Sequence, residues 1–193
     1  MVDAMVKKLT ERDQDDLVIR AKQDTDALGA LYEMYYERML RFCVHRLFNR
    51  SAAEDATSTI FLNVARKIGD FKGENEDDFR RWLFTIASNH VNGHIRKSLR
   101  RKTLLAEAAA SRAAMDAQDV ADSVDMDWPT VHQAIMKLNR KEQTIVTLRF
   151  FEQMSFAEIA GIVGTQESSV RVILHRSLKK LQNHLKVPFG GEL

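Results

Sequence analysis

Residues 155–186, SFAEIAGIVGTQESSVRVILHRSLKKLQNHLK, restrict the possible folds of this chain more than any other stretch. Ser155 stands three residues before Glu158, so each side chain can satisfy an orphan backbone donor beside the other. Phe156, Ile159, Ala160 and Val163 recur at i, i+3, i+4 and i+7, the spacing of a short amphipathic helix. Gly164 can end that helix, because a residue without Cβ enters the left-handed region at no steric cost. Thr165 can then cap a second, longer helix with an apolar stripe of Val170, Ile173 or Leu174, Leu178, Leu181 and Leu185. Two helices joined by a short glycine turn make a helix-turn-helix, whose second helix is a candidate reader of a DNA major groove. Its outer face carries Arg171, Arg176, Lys179 and Lys180 against one acid, Glu167. The plainer alternative is an αα-hairpin with a solvated basic face. Small Ala160 and Gly164 and apolar Val170, where the two helices must approach, favour DNA.

The rest of the composition agrees with helices around such a unit. Two prolines and eight glycines in 193 residues leave long stretches free to be helical, and 45% hydrophobic content suffices for a core. The length admits one domain or two small ones. Nowhere do about 18 apolar residues run together, so no membrane span is expected. The opening MVDAMVKKLTERDQDD is too polar for a signal peptide. A single cysteine, Cys43, cannot form an internal disulfide, which fits a reducing cytoplasm. Net charge is only +2, but it is unevenly spread. Residues 79–102 hold seven Lys/Arg and no acid, whereas 103–128 hold six acids and one Arg. Local basic segments in a near-neutral chain point to a polyanion met at defined places.

Read in order, residues 14–23 predict a short helix with Leu17, Val18 and Ala21 apolar. Asp24 or Asp26 can cap a long one bearing Leu28, Leu31, Tyr32, Tyr35, Met39, Phe42, Cys43 and Leu47. After a turn at Asn49-Arg50, Ser51 and Glu54 repeat the capping-box pattern, and Ile60, Phe61, Val64 and Ile68 form one face of a third helix. Glu54, Asp55, Ser58 and Asn63 lie opposite. A loop over 69–78 holds Phe71 and Gly73 among five acids. A fourth helix then begins near Asp77, packs Phe79, Trp82, Leu83, Ile86 and Ala87 inward, and turns basic toward its C-terminal end, where cations complement the helix dipole. Residues 105–127, with eight alanines and no clear period, read as a linker, partly helical at most. Pro129 suits a first helical position. Helices with Val131, Ile135 and Leu138, then with Ile145, Val146, Leu148 and Phe151, precede the helix-turn-helix. No strand-like alternation is visible. The expected fold is all-α, two small helical domains on a flexible linker, with the domain positions set by partners rather than by the chain.

This combination resembles a bacterial extracytoplasmic-function (group IV) sigma factor. The strings that carry the resemblance are 24–32 (DTDALGALY), 53–61 (AEDATSTIF), the WLFTIASN core within 79–101 followed by IRKSLRR, 138–151 (LNRKEQTIVTLRFF) and 155–181. The chain departs from the family at Ser58, where glutamine is usual, at Thr59 and Gly93, where an acid is usual, and at Asn139, where proline is usual. The resemblance implies a region 2 domain over 10–104, an acidic Ala-rich linker over 105–128 and a region 4 helix-turn-helix domain over 129–187. It implies as partners core RNA polymerase, met at its clamp helices and flap, promoter DNA, and an anti-sigma protein, with no cofactor and no catalysis by the chain itself. Glu54, Asp55 and Ser58 would face the clamp helices, although acids in a first turn also serve the helix dipole.

The minus-ten element would be opened and held by Phe71, Lys72, Gly73, Glu74, Asn75, Asn89, Arg96, Arg100 and Arg101. Cations track single-stranded backbone, Asn89 offers donor and acceptor groups to a base edge, and the 71–75 loop would wall a flipped base. Phe71 could instead staple that loop, and Trp82 suits a core better than a stacking platform. The minus-thirty-five element would be met by Thr165, Gln166, Glu167, Ser169, Arg171, Arg176 and Lys179. His90 and His94 share a helix face as in zinc proteases, but HVNGH lacks the water-activating glutamate and suggests no third ligand. A free-standing helix-turn-helix regulator with a sensing or dimerising first domain is the rival reading.

Overall fold

Six of the eight α-helices among the described residues start at a side chain that satisfies one of their first orphan amides, and these caps set the element boundaries. The computed structural model describes residues 10–110 and 128–185. In chain order the helices are α1 (Glu11–Arg20), α2 (Thr25–Leu47), α3 (Arg50–Lys67), α4 (Glu76–Ala110), α5 (Trp128–Met136), α6 (Arg140–Phe150), α7 (Phe156–Val163) and α8 (Glu167–Leu185), with a single 3-10 turn at Ile68–Asp70. Thr10 and Asp13 form a capping box at α1. Asp24 caps α2, its Oδ1 accepting from the Asp26 amide at 2.9 Å. The cap of α3 is Asn49, which accepts from the Ala52 amide at 2.7 Å, not the expected Ser51. Glu54 is thereby free to pair with Arg50 at 3.0 Å. At α6, Asn139 stands where the resembled family has proline, and it makes a full capping box with Glu142. That departure is a functioning helix start.

The helices pack as two groups. In the first, α1–α4 enclose Met39, Phe42, Ile60, Phe79, Leu83, Phe84, Ala87 and Val91, all essentially inaccessible. The Phe42 and Phe84 rings meet edge to face at 5.3 Å. Removing either ring would cost about 3–5 kcal/mol by the usual large-to-small rule. In the second, α5–α8 close over Ile145, Leu148, Met154, Ile159, Val170 and Leu174. Lys180 of α8 donates to buried Glu142 of α6 at 2.6 Å and ties the two helices together. Buried Thr57, Thr144 and Thr147 satisfy their hydroxyls on the carbonyls four residues back, so they sit in the helices without an orphan donor.

Helix α4 runs on to Ala110, so 105–110 are helical, within the expectation of a linker that is partly helical at most; 111–127 lie outside the described residues, as do residues 1–9 and 186–193. One expectation changes. The domains are in direct contact rather than apart: α6 lies against α2 and α7 against α4. Polar side chains are responsible. The sequence does not distinguish them from a solvated face, because Arg38, Arg46 and Glu152 occupy positions that periodicity leaves unassigned.

Candidate nucleic-acid interface

The helix-turn-helix forms as its sequence dictates. Glu158 donates its amide to Ser155 Oγ at 3.2 Å and accepts from the Ser155 amide at 2.8 Å. Burial pushes the Glu158 carboxyl up, but the Ser155 hydroxyl and amide and then Arg80 outweigh it and hold it below the usual glutamate range. Gly164 closes α7 at φ 62, ψ 55, the left-handed conformation a residue with Cβ resists. Thr165 is half-buried in the turn, its amide on the Ala160 carbonyl at 3.0 Å. The first bond of α8 runs from the Val170 amide to the Gln166 carbonyl at 3.1 Å, so Gln166 rather than Thr165 precedes the helix.

Val170, Leu174, Ser177 and Leu181 are the buried stripe of α8, with Ile173, Leu178 and Leu185 half-covered beside it. On the other side Gln166, Glu167, Arg171, Arg176 and Lys179 are exposed and Ser169 is half-buried. Arg171 does not wave freely. Its guanidinium pairs with Glu167 at 2.5 Å and stacks over the Phe156 ring at 4.2 Å, an arrangement that holds the fork in one orientation. Val172, 48% exposed among the polar side chains on the outer side of α8, was not singled out in the sequence, and an apolar contact of that kind suits a thymine methyl.

In the first domain the 71–75 loop is pinned from below. Phe71 is buried, 4.9 Å from Trp82 and edge-on to Phe79, so it anchors the loop rather than lining its outer surface. Lys22 of the α1–α2 turn lies over the same ring and donates to the Gly73 carbonyl at 2.9 Å. A Cβ on Gly73 would run into the Phe71 ring and the Asp78 Cβ. Asn75 accepts from the Asp78 amide at 2.8 Å and so starts α4. Lys72 and Glu74 are the exposed members of the loop, while Gly73 and Asn75 are half-buried. Trp82, half-buried in this cluster, packs as core.

Along α4, Asn89, Arg96 and Arg100 follow at helical spacing with open Gly93 between them, so they share one face over about 16 Å. Arg101 flanks that face, and all four named side chains are exposed. Burial and then the neighbouring His94 hold His90 below its ordinary value, and among the described residues no three His, Cys, Asp or Glu gather to hold a metal. On α3, Glu54, Asp55 and Ser58 are exposed together with Leu62, which the sequence reading also left out. At 50% exposed, four residues beyond Ser58, Leu62 adds an apolar side chain at the C-terminal end of that acidic face. No helix among the described residues is long and apolar enough to cross a membrane.

Comparison with known proteins places both groups of helices. Residues 31–101 match the family model for sigma-70 region 2, and residues 130–181 that for sigma-70 region 4. The chain is 34% identical over 173 residues to the ECF RNA polymerase sigma factor BldN of Streptomyces coelicolor. This chain belongs to the extracytoplasmic-function sigma factors. The aligned part covers 86% of this sigma factor and 63% of the length of that relative. SigW of Bacillus subtilis, another ECF sigma factor, is 29% identical over 174 residues, covering 86% of this chain and 92% of its own. The structure of CnrH in complex with the cytosolic domain of CnrY superposes with a TM-score of 0.65 over 90% of this chain and 97% of that one. At 18% identity that likeness describes the fold. The region 2 match takes in the α3 face, the pinned loop and the basic side of α4. The region 4 match takes in the helix-turn-helix as far as Leu181 of α8.

Proposed function

We propose that this sigma factor binds core RNA polymerase and directs it to promoters, its first domain melting and holding the minus-ten element and its second reading the minus-thirty-five element. The observation that carries the reading is the pair of exposed cationic faces on separate folded units. One, along α4, presents an amide side chain in line with arginines; the other, along α8, is a conventional groove-reading helix. Strand separation needs the first kind of surface, cations for the backbone and a polar group for a splayed base. Duplex reading needs the second.

The loop around Gly73 supplies the rigid shoulder against which a flipped base is held, through Lys72, Glu74 and the backbone between them. Arg96, Arg100 and Arg101 neutralise phosphate, and Arg176 and Lys179 do the same on the duplex. Gln166, Glu167, Ser169 and Arg171 are the groups that meet base edges. Glu54, Asp55 and Ser58, with Leu62 one turn beyond, form the face offered to the clamp helices of the polymerase. The polymerase performs the phosphodiester chemistry, and the sigma factor contributes binding and orientation in the cytoplasm where that enzyme works. CnrH was solved with a protein partner; an anti-sigma protein is accordingly the class of regulator expected here.

Gel filtration with core polymerase, followed by transcription from a genomic library and start-site mapping, tests the reading. Co-elution and starts that share two spaced sequence elements are expected. Tight autonomous duplex binding with no co-elution would instead identify a free-standing helix-turn-helix regulator.

A further inference from the structure

Two of the contacts that hold the 71–75 loop come from α1 and the turn after it, far away in the sequence. Lys22, half-buried in that turn, donates from Nζ to the Gly73 carbonyl at 2.9 Å and stands 5.4 Å from the centre of the Phe71 ring. Asp15, half-buried on α1, accepts from the Glu76 amide at 2.7 Å and so caps the start of α4 from outside the local chain. The Glu76 carboxylate in turn accepts from the hydroxyl of buried Tyr35 of α2. Other ties are local, the Glu74 amide on Asp78 at 3.2 Å and the Asp78 amide on Asn75 at 2.8 Å. Helix α1 is itself seated by Leu17 and Val18, both buried, so its two polar contacts are made from a fixed base. Neither Asp15 nor Lys22 falls within residues 31–101, the stretch that matches sigma-70 region 2.

We propose that Asp15 and Lys22 are positioning residues for the minus-ten element, and that α1 is a splint keeping the 71–75 loop in the shape that receives a displaced base. The inference rests on the promoter reading above. It adds that promoter opening depends on a part of the chain lying ahead of the matched region.

Two simpler roles compete with this one, a phosphate contact and a pair that only stabilises the fold. A lysine that tracks DNA backbone holds its ammonium out in solvent. Lys22 instead directs its ammonium inward, onto a carbonyl and a ring. Against a general stabilising role stands the choice of partner atoms. Both residues bind main chain, and the Gly73 carbonyl and the Glu76 amide lie on either side of exposed Glu74. The Phe71 ring beside Lys22 directly precedes exposed Lys72. Each outward side chain of the loop is therefore flanked by a group that α1 or its turn holds in place. The loop has little slack beneath it, since a Cβ on Gly73 would already meet the Phe71 ring and Asp78. Releasing the carbonyl frees the loop from above while the ring still pushes from below. Extruding a base costs unstacking energy, and a loop that had to be ordered at the same moment would add to that cost. A loop held in advance avoids the addition.

The test uses the full chain, first alone and then with core polymerase. In the free chain, Lys22→Met and Asp15→Ala should each speed hydrogen exchange of the Glu74 amide about tenfold, while amides of α8 exchange as before. With core polymerase on a promoter obtained by start-site mapping, both substitutions should slow opening of the duplex about tenfold, and a pre-melted bubble should relieve most of the defect. Lys22→Arg and Asp15→Asn, which keep the donor and the acceptor, should restore opening. The salt dependence of promoter binding should be the same for Lys22→Met as for the unsubstituted chain. A salt slope smaller by about one would make Lys22 a phosphate contact, and a lowered thermal midpoint with normal opening would make both residues merely structural. Either result overturns the proposal. Unchanged exchange in the free chain overturns the splint with no reference to promoters. Faster exchange in a chain that directs no promoter-specific starts would instead sink the sigma reading, and the promoter role with it, so the two failures are read apart.

Discussion

Gly73 is a position where an added methyl has no room, and its neighbours explain why the loop it sits in is rigid. Its missing Cβ makes space for the Phe71 ring, which in turn is clamped by Trp82, Phe79 and the Lys22 ammonium. Gly73→Ala should therefore lift the loop, at about 1–3 kcal/mol for overpacking. A lower thermal midpoint together with a promoter-opening defect that a pre-melted bubble relieves is the expected pair of results; an unchanged midpoint would mean that the ring moves aside freely. Arg171 is held differently, by Glu167 and by stacking on Phe156. If it reads a guanine, Arg171→Ala costs about 1–3 kcal/mol at one base pair of the minus-thirty-five element and little elsewhere. Binding measured across single-base promoter variants checks this, and uniform weakening would make it a phosphate contact.

At the scale of the element, α4 joins the tasks assigned to the first domain: its first turns hold the loop, its middle offers Asn89, and its later turns carry the arginines. Asn89→Ala should impair opening on duplex promoters more than on templates with a pre-formed bubble, and equal defects on both would remove Asn89 from melting. The contact between the two groups of helices adds a pH dependence through its ring stacks, His45 on Phe151 and Phe48 on His132. Burial holds His132 below its ordinary 6.5, and burial with nearby Arg41 does the same for His45. The folded form thus binds fewer protons than the unfolded one, so the stacking contribution is present above about 6.5 and is lost as pH falls below it. Thermal midpoints should drop between pH 7.5 and 5.5, and His132→Asn should blunt the drop.

These elements also show what the sequence made legible. The helix-turn-helix could be read because Ser155, Glu158 and Gly164 act locally, each through its own backbone. The start of α3 was misplaced by two residues, since Asn49 and Ser51 are both good caps and only the packed chain selects between them. Phe71 could be placed in the loop but not pointed, because its inward turn depends on Lys22, distant in sequence. The contact between the domains was invisible, since arginines on a helix face read as solvated until their acceptors arrive from another domain.

At the level of the whole molecule, the two sigma-70 regions lie on separate groups of helices, each with its own exposed basic face. The two surfaces should then fail independently, because Asn89 and Arg171 lie on different folded units. The most direct measurement is permanganate and nuclease footprinting of core polymerase reconstituted with this sigma factor on a duplex promoter obtained by start-site mapping. Reactive thymines at the minus-ten element that vanish with Asn89→Ala, and upstream protection over the minus-thirty-five element that weakens with Arg171→Ala while downstream opening on a pre-melted template persists, are predicted. Protection of both elements by the chain without polymerase, or loss of both signals together from either substitution, would contradict the account.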